Sequence, residues 1–329
     1  MNQRSMPKGA KVKDESLKRI ATIGSFDGVH RGHRCLLDQV RHIADERHME
    51  AMAVTFNISP KQVLRKSDIP LLTSLEERVE RLHKAGMDEV AILNFTREMA
   101  TMTAREFMQR VLHEQLGVTV LVIGYDHRFG HNRSESFDDY VRYGLEMGIE
   151  VIRGEACIEG DEAVSSTRIR ECLTQGKVTE AAHLLGYEYQ LCGKVVGGYQ
   201  VGRKIGFPTA NINVEECNKL IPADGVYVVR VSLSTLNTQH IGMLNIGHRP
   251  TVNNGTERSV EVHIIGFEGN LYGQSLCIEF VERLRDERSF NSLDELTTQL
   301  VSDREKVIST LNSQHSTLNS NPLPHVDNH

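Results

Sequence analysis

An α/β domain built on a parallel sheet, followed by a smaller all-β domain that ends in one helix, is the fold class predicted by this 329-residue sequence. Three observations predict it. Apolar runs of strand length alternate with segments of helical period through the first half. Past Glu188 the helical period gives way to short, evenly spaced runs that alternate apolar and polar residues. One amphipathic stretch then follows, before a tail rich in Ser, Asn, His and Pro.

In the first half the strand candidates are residues 19–24, 51–56, 89–95, 118–125 and 150–153. Between them, 33–47, 75–85, 104–115 and 137–147 repeat apolar residues at helical spacing. Strand–helix alternation implies parallel strands covered on both faces, with ligands outside their carboxyl ends. In the second half, residues 189–196, 226–233, 241–246, 260–267 and 275–281 are strand candidates punctuated by Gly, Pro and Asn. That pattern suits an antiparallel barrel or sandwich. A helix is expected from Ser292 to Leu311. The change of pattern places a boundary near 183–188. The expected domains are therefore 15–182 and 183–311, with 312–329 a disordered tail.

A net charge of −6 argues against a general nucleic-acid binder or a binder of acidic membranes. No run approaches the ~20 apolar residues of a membrane span. The stretch before Arg19 is polar and carries no apolar leader segment. The six cysteines are scattered without a C-x-x-C, so they are expected to be reduced thiols in a cytoplasmic protein.

The most informative stretch is Gly24-Ser-Phe26-Asp27-Gly28-Val-His30-Arg-Gly32-His33, a glycine turn between a strand and a helix start. A helix N-terminus offers unpaired N–H groups and partial positive charge, and suits phosphate. Two imidazoles there can donate hydrogen bonds to a nucleotide's phosphates. The segment Gly124-Tyr-Asp126-His-Arg128-Phe-Gly130 also follows a strand, and the two are expected to face one crevice. A second helix opens at Ser165-Ser166-Thr167-Arg168-Ile-Arg170, where hydroxyls, free N–H groups and a guanidinium can converge on a triphosphate.

In the second half, Gly202-Arg203-Lys-Ile-Gly206-Phe-Pro208-Thr209-Ala-Asn211 is not a Walker P-loop. On an extended segment Thr209 and Asn211 point the same way, and their neutral oxygens suit Mg²⁺ when phosphates and water complete its shell. Gly202, Gly206 and Arg203 can cradle phosphates. Glu261, between Val260 and Val262, reads from spacing alone as a residue on the polar face of a strand.

Residues 24–33 resemble the H-x-G-H signature of the nucleotidyltransferase superfamily, and 165–170 resemble its second, Ser/Thr-rich motif. Together with Thr55-Phe56, Leu72-Thr73, residues 124–130, the Pro208–Asn211 motif and Asn245–Thr251, the sequence resembles the bacterial bifunctional riboflavin kinase/FAD synthetase family over residues 15–310. The resemblance implies a Rossmann-like nucleotidyltransferase domain and a riboflavin kinase-like barrel. It implies two transferase activities: ATP-dependent phosphorylation of riboflavin to FMN, then adenylylation of FMN by ATP to FAD and pyrophosphate. It implies that His30 and His33 act on the triphosphate, and that Gly24, Phe26, Asp27, Gly32, Asp126, Arg128, Ser166, Thr167 and Arg168 bind around it. Asp27 either fixes the turn or helps hold metal. In the barrel it implies Thr209 and Asn211 on Mg²⁺-ATP and Glu261 as general base. The partners implied are riboflavin, FMN and ATP, with no nucleic acid and no membrane.

One segment departs from the family. After Thr55-Phe56 the family carries an acidic residue and Pro-His-Pro, whereas this chain reads Asn57-Ile-Ser-Pro60. The alternative it raises is a riboflavin kinase with an inactive or regulatory nucleotide-binding N-terminal half.

Overall fold

The computed structural model describes residues 18–58, 69–125, 127–131, 133–155, 164–198, 201–214, 218–233, 238–250 and 256–319. The chain divides into two compact units. One comprises residues 1–26, 33–68 and 79–157; the other comprises 27–32, 69–78 and 158–329.

The first unit holds five parallel strands: β1 (Arg19–Ile23), β2 (Glu50–Phe56), β3 (Glu89–Leu93), β4 (Val118–Ile123) and β5 (Glu150–Arg153). Their order is β3-β2-β1-β4-β5. Each lies within two residues of its expected bounds. Strands covered on both faces must be apolar throughout, and in β2 every residue after Glu50 is buried. Helix α1 (Arg31–Arg47) buries Leu37, Val40 and Ala44, one stripe at helical spacing. Four further helices follow: α2 (Leu75–Lys84), α3 (Arg97–Thr101), α4 (Ala104–Phe107, continuing as a π-helical stretch Met108–Gln115) and α5 (Phe137–Met147). Ser136 and Asp139 form a reciprocal capping box at the start of α5, and Gly148 ends it in the left-handed conformation. Strand order reverses between β1 and β4, so their carboxyl ends frame the switch point where such sheets bind ligands.

The second unit contains α6 (Ser166–Thr174), α7 (Val178–Leu185) and a closed antiparallel barrel. Its strands are β6 (Gln190–Val196), β7 (Ala210–Asn213), β8 (Gly225–Leu233), β9 (Thr238–Pro250), β10 (Thr256–Ile264) and β11 (Ser275–Arg285). They run in the order β10-β7-β6-β11-β8-β9, and the β9–β10 ladder closes the ring. The architecture is thus a barrel and not a sandwich, and closure removes the exposed sheet edges. Leu191, Val229, Leu244, Val262 and Ile278 are among its buried residues. A one-turn helix, α8 (Val201–Lys204), precedes β7, and α9 (Leu293–Asn319) follows the barrel. Helix α9 continues to Asn319, past Leu311 where the sequence pattern places the start of a tail.

One expectation is corrected. Cys192 and Cys277 form a disulfide instead of remaining reduced thiols. The β6–β11 register places them directly opposite each other, a proximity that sequence spacing does not encode. Cys35 is also disulfide-bonded, and Cys172 is a free, buried thiol. The charged run 282–288 is ion-paired, and part of it packs against the helix that follows the barrel. Strand β11 continues to Arg285, whose Nη2 and Nε donate to Asp303 Oδ2 at 2.8 and 3.0 Å. Asp303 lies fully buried on α9 and also accepts from Gln299 Nε2 at 2.7 Å. Val307 and Leu311 continue the same helix face into a cluster with Phe207 and Val281. Asp303→Ala leaves the Arg285 guanidinium without its buried partner, at an expected cost of about 3–5 kcal/mol. Equilibrium denaturation checks this; a loss under ~1 kcal/mol, typical of an exposed pair, would show that α9 does not depend on the ion pair.

Candidate functional site

The turn after β1 is held in an unusual backbone conformation. Phe26, Gly28 and Val29 all have positive φ, at 47°, 87° and 36°. That region is costly for a β-branched residue such as Val29, and strain of this kind persists only where surrounding contacts impose it. Those contacts centre on Asp27. Its Oδ1 accepts from the Leu72 N–H (3.0 Å), the Thr73 N–H (3.1 Å) and the Thr73 hydroxyl (3.3 Å). Its Oδ2 accepts from Arg170 Nη2. Ser166 Oγ donates to the Asp27 carbonyl at 3.0 Å, and Tyr187 Oη donates to the Gly28 carbonyl at 2.6 Å. At Gly28, whose φ of 87° favours glycine, an added Cβ would also crowd Leu72 Cδ1 at 3.0 Å and Leu185 Cδ2 at 3.2 Å. Asp27 thus fixes the turn, with both carboxylate oxygens engaged by the protein.

Arg170, not Arg168, completes this cluster. Besides Asp27, it donates to the Pro70 carbonyl (3.0 Å) and the Ser166 carbonyl (3.1 Å). Arg168 instead lies 3.5 Å from Glu180, and Thr167 is exposed at the start of α6. The N-cap of α6 is Ser165, whose hydroxyl accepts from the Arg168 N–H.

His30 ends the turn and is buried. Burial, reinforced by the nearby Arg170 guanidinium, lowers its pKa from 6.5 to about 4. The imidazole is therefore neutral near pH 7 and acts as a hydrogen-bonding group, not a cation. The unfolded chain binds this proton near pH 6.5 and the folded chain only near 4. Stability is therefore lost as pH falls between those values. Unfolding at pH 7 and pH 5 should show wild type losing about 2 kcal/mol more than His30→Gln, which has no proton to bind there. Equal losses would contradict the buried neutral state.

Gly24 is buried at the end of β1, its N–H donating to Val54 O at 3.0 Å, and Gly32 lies in the first turn of α1. His33, also in that turn, stacks edge-on against Phe26 with ring centroids 5.3 Å apart. At the carboxyl end of β4 the hydroxyl of Tyr140 bonds both the N–H and the carbonyl of Phe129, each at 3.1 Å. Their rings stack at 4.6 Å. This braces a loop on which Arg128 is exposed and Tyr125 is 66% exposed. Asp126 lies outside the described residues, as do Ser59 and Pro60. Asn57 Nδ2 donates to Asn94 Oδ1 at 2.7 Å.

In the barrel, the Glu261 carboxylate accepts from the Thr209 hydroxyl at 3.2 Å. The ladders place Asn211 on one side of Glu261 and Asn245 on the other, in one row across β7, β10 and β9. An added Cβ at Gly198 would collide with the Asn211 amide, so glycine lets the backbone close over that side chain. His263 Nδ1 lies 2.8 Å from the Pro208 carbonyl, which can only accept, so the ring donates and braces the segment before Thr209. Gly202 and Arg203 belong to α8, Gly206 has φ of 82°, and the Phe207 N–H closes the turn on Gly202 O at 2.8 Å. Arg203, Pro208 and Thr209 are exposed. The donor set of hydroxyl, amide and carboxylate oxygens is hard and oxygen-only, and fits Mg²⁺.

The FAD synthetase family model matches residues 12–168, and the riboflavin kinase model matches 185–311. The bifunctional riboflavin kinase/FMN adenylyltransferase of Escherichia coli strain K12 is 36% identical over 285 residues, 86% of this chain and 90% of that protein. The enzyme of the same name from Haemophilus influenzae is 36% identical over 89% of this chain and 94% of its own length. A crystal structure of a Streptococcus pneumoniae protein named as a macrolide-efflux protein superposes with a TM-score of 0.81. It is 32% identical and covers 88% of this chain and 93% of that one. Among the described residues, no helix is long and apolar enough to cross a membrane. With a matching model over each half and this identity along most of the chain, the protein belongs to the bifunctional riboflavin kinase/FMN adenylyltransferase family.

Proposed function

We propose that the family's two ATP-dependent transfers run at two separate sites in this chain, riboflavin phosphorylation in the barrel and FMN adenylylation at the turn after β1. The observation that carries this reading is the partition of the two polar clusters between the matched segments. His30, His33 and Ser166 fall within 12–168, and Thr209, Asn211 and Glu261 within 185–311.

In the kinase step Glu261 accepts the proton of riboflavin's 5′-hydroxyl. That oxygen bonds to the γ-phosphorus of ATP as the bond to the bridging oxygen breaks and ADP leaves. Thr209 and Asn211 hold Mg²⁺, which when bound neutralises charge on the triphosphate. Gly202, Gly206 and Pro208 shape the approach of the backbone to the phosphates, and Arg203 adds positive charge there.

In the adenylyl step a phosphate oxygen of FMN attacks the α-phosphorus of ATP and pyrophosphate leaves. The nucleophile is already anionic, so no proton need be removed. Catalysis reduces to in-line alignment and stabilisation of charge. His30, whose imidazole is neutral, and His33 donate N–H groups, and the backbone N–H groups opening α1 and α6 add to them. Ser166 and Asp27 keep the turn in shape, while Gly24, Phe26 and Gly32 line it. Thr167, Arg168, Arg128 and Asp126 complete the nucleotide's surroundings. The exposed ring of Tyr125 offers a flat surface for isoalloxazine. The working domains are 15–182 and 183–311. The setting is the cytoplasm, and with a net charge of −6 neither nucleic acid nor membrane is a partner.

Product chromatography over time from riboflavin, ATP and Mg²⁺ tests this. FMN should appear first, then FAD with one pyrophosphate each. Absence of FAD from added FMN would limit the chain to its kinase step.

A further inference from the structure

Lys219 lies between β7 and β8 and would pass in the sequence for an ordinary linker lysine. In the structure its side chain is only 2% exposed. The ammonium donates to Glu77 Oε2 at 2.5 Å and to the Gln190 carbonyl at 2.6 Å, and lies 5.1 Å from the centroid of the buried Tyr189 ring. Tyr189 in turn donates to the Leu220 carbonyl at 2.7 Å. Burying an ammonium is expensive, and is tolerated only where partners satisfy it.

The contacts of Lys219 bear on a segment that matters chemically. Leu71 pairs with Lys219 in an isolated parallel bridge: the Leu71 N–H donates to Asn218 O at 2.9 Å, and the Leu220 N–H donates to Leu71 O at 2.8 Å. Glu77 stands in the first turn of α2, where its carboxylate also accepts from the Ser74 N–H at 3.2 Å while Ser74 Oγ accepts from the Glu77 N–H at 3.2 Å. That is a capping box, and Lys219 binds the same carboxylate oxygen. Residues 71–77 are therefore pinned at both ends on 218–220. Between the pins lie Leu72 and Thr73, the groups that hold Asp27 and the strained turn. All these residues belong to the second compact unit, with the barrel.

We propose that Lys219 is a positioning residue for FMN adenylylation: through Glu77 and Leu71 it sets the segment that shapes the 27–30 turn. The inference rests on reading that turn as the adenylyl-transfer site. It makes the geometry of the adenylyl-transfer loop depend on a residue from the segment matched to the riboflavin kinase model. Misplacement of reacting groups by about 1 Å costs up to roughly 100-fold in rate.

The test uses the full-length chain and both activities. Lys219→Met removes the charge at similar length. Glu77→Gln keeps the cap, since Gln serves at that position, but strips Lys219 of its counter-ion. Each should lower the kcat of FMN adenylylation roughly 10- to 100-fold with the KM for ATP little changed. Riboflavin phosphorylation should stay within about twofold, because no kinase group is touched. The double variant should be no worse than the poorer single one, since both changes break one interaction. Unchanged adenylylation overturns the proposal. So does parallel loss of both activities, misfolding included, because the pair is then a structural staple only. His33→Ala run alongside separates the two readings. If it abolishes adenylylation while Lys219→Met does not, only the present inference fails; if neither variant affects it, the assignment of the turn fails as well.

Discussion

Glu261→Gln should lower the kcat of riboflavin phosphorylation by about 10²- to 10⁴-fold, the range for loss of a general base. Glutamine keeps the size of the side chain, and its carbonyl oxygen still accepts from the Thr209 hydroxyl, which lies 3.2 Å from the carboxylate in the wild type. The row formed by Asn211, residue 261 and Asn245 is set by backbone ladders, so it survives the change. What disappears is the capacity to take a proton from the attacking hydroxyl. The KM for ATP should move little, because Thr209 and Asn211 remain. FMN adenylylation should stay within about twofold, because no group assigned to it is changed. Steady-state assays of both reactions on one preparation decide the matter. A variant with full kinase rate removes Glu261 from the chemistry, and parallel loss of both rates points to unfolding.

Strands β1, β2 and β4 were legible because they are buried on both faces and read as short apolar runs, β2 most clearly, whereas β3 and β5, at the edges of the sheet, are more exposed and were legible from their place in the strand–helix alternation. Strand β7 was not, because four residues are too few for alternation to register, although Thr209 and Asn211 on one side of an extended segment pointed to it. The Cys192–Cys277 disulfide and the Arg285–Asp303 pair depend on register and on helix docking, neither of which local pattern encodes. Arg170 was within reach. Residues four apart on a helix share a face, so the serine that touches the turn, Ser166, shares its face with Arg170 and not with Arg168. Lys219 carried no local signal, since its partners are 29 and 142 residues away in sequence. Local chemistry was readable wherever functional groups sit on one turn or one strand. The groups that brace them come from distant segments and were not.

His33→Ala should reduce the kcat of FMN adenylylation about 10²- to 10³-fold, the typical cost of losing one preorganised donor to a charged transition state. The ring lies in the first turn of α1, where the backbone N–H groups already favour phosphate, and its edge-on contact with Phe26 limits its rotation. Alanine leaves the helix N-terminus intact, so ATP binding persists while stabilisation of the transition state falls; kcat and kcat/KM should drop together. His33→Gln restores a neutral donor of similar reach and should recover part of the loss, which a merely structural role for the ring does not predict. Riboflavin phosphorylation should be preserved in both variants. Pyrophosphate release and FAD formation at saturating FMN and ATP, beside a kinase assay, provide the readout. Equal loss of both activities would falsify the separation of sites, and full adenylylation by His33→Ala would remove His33 from the chemistry and count against the turn as the adenylyl-transfer site.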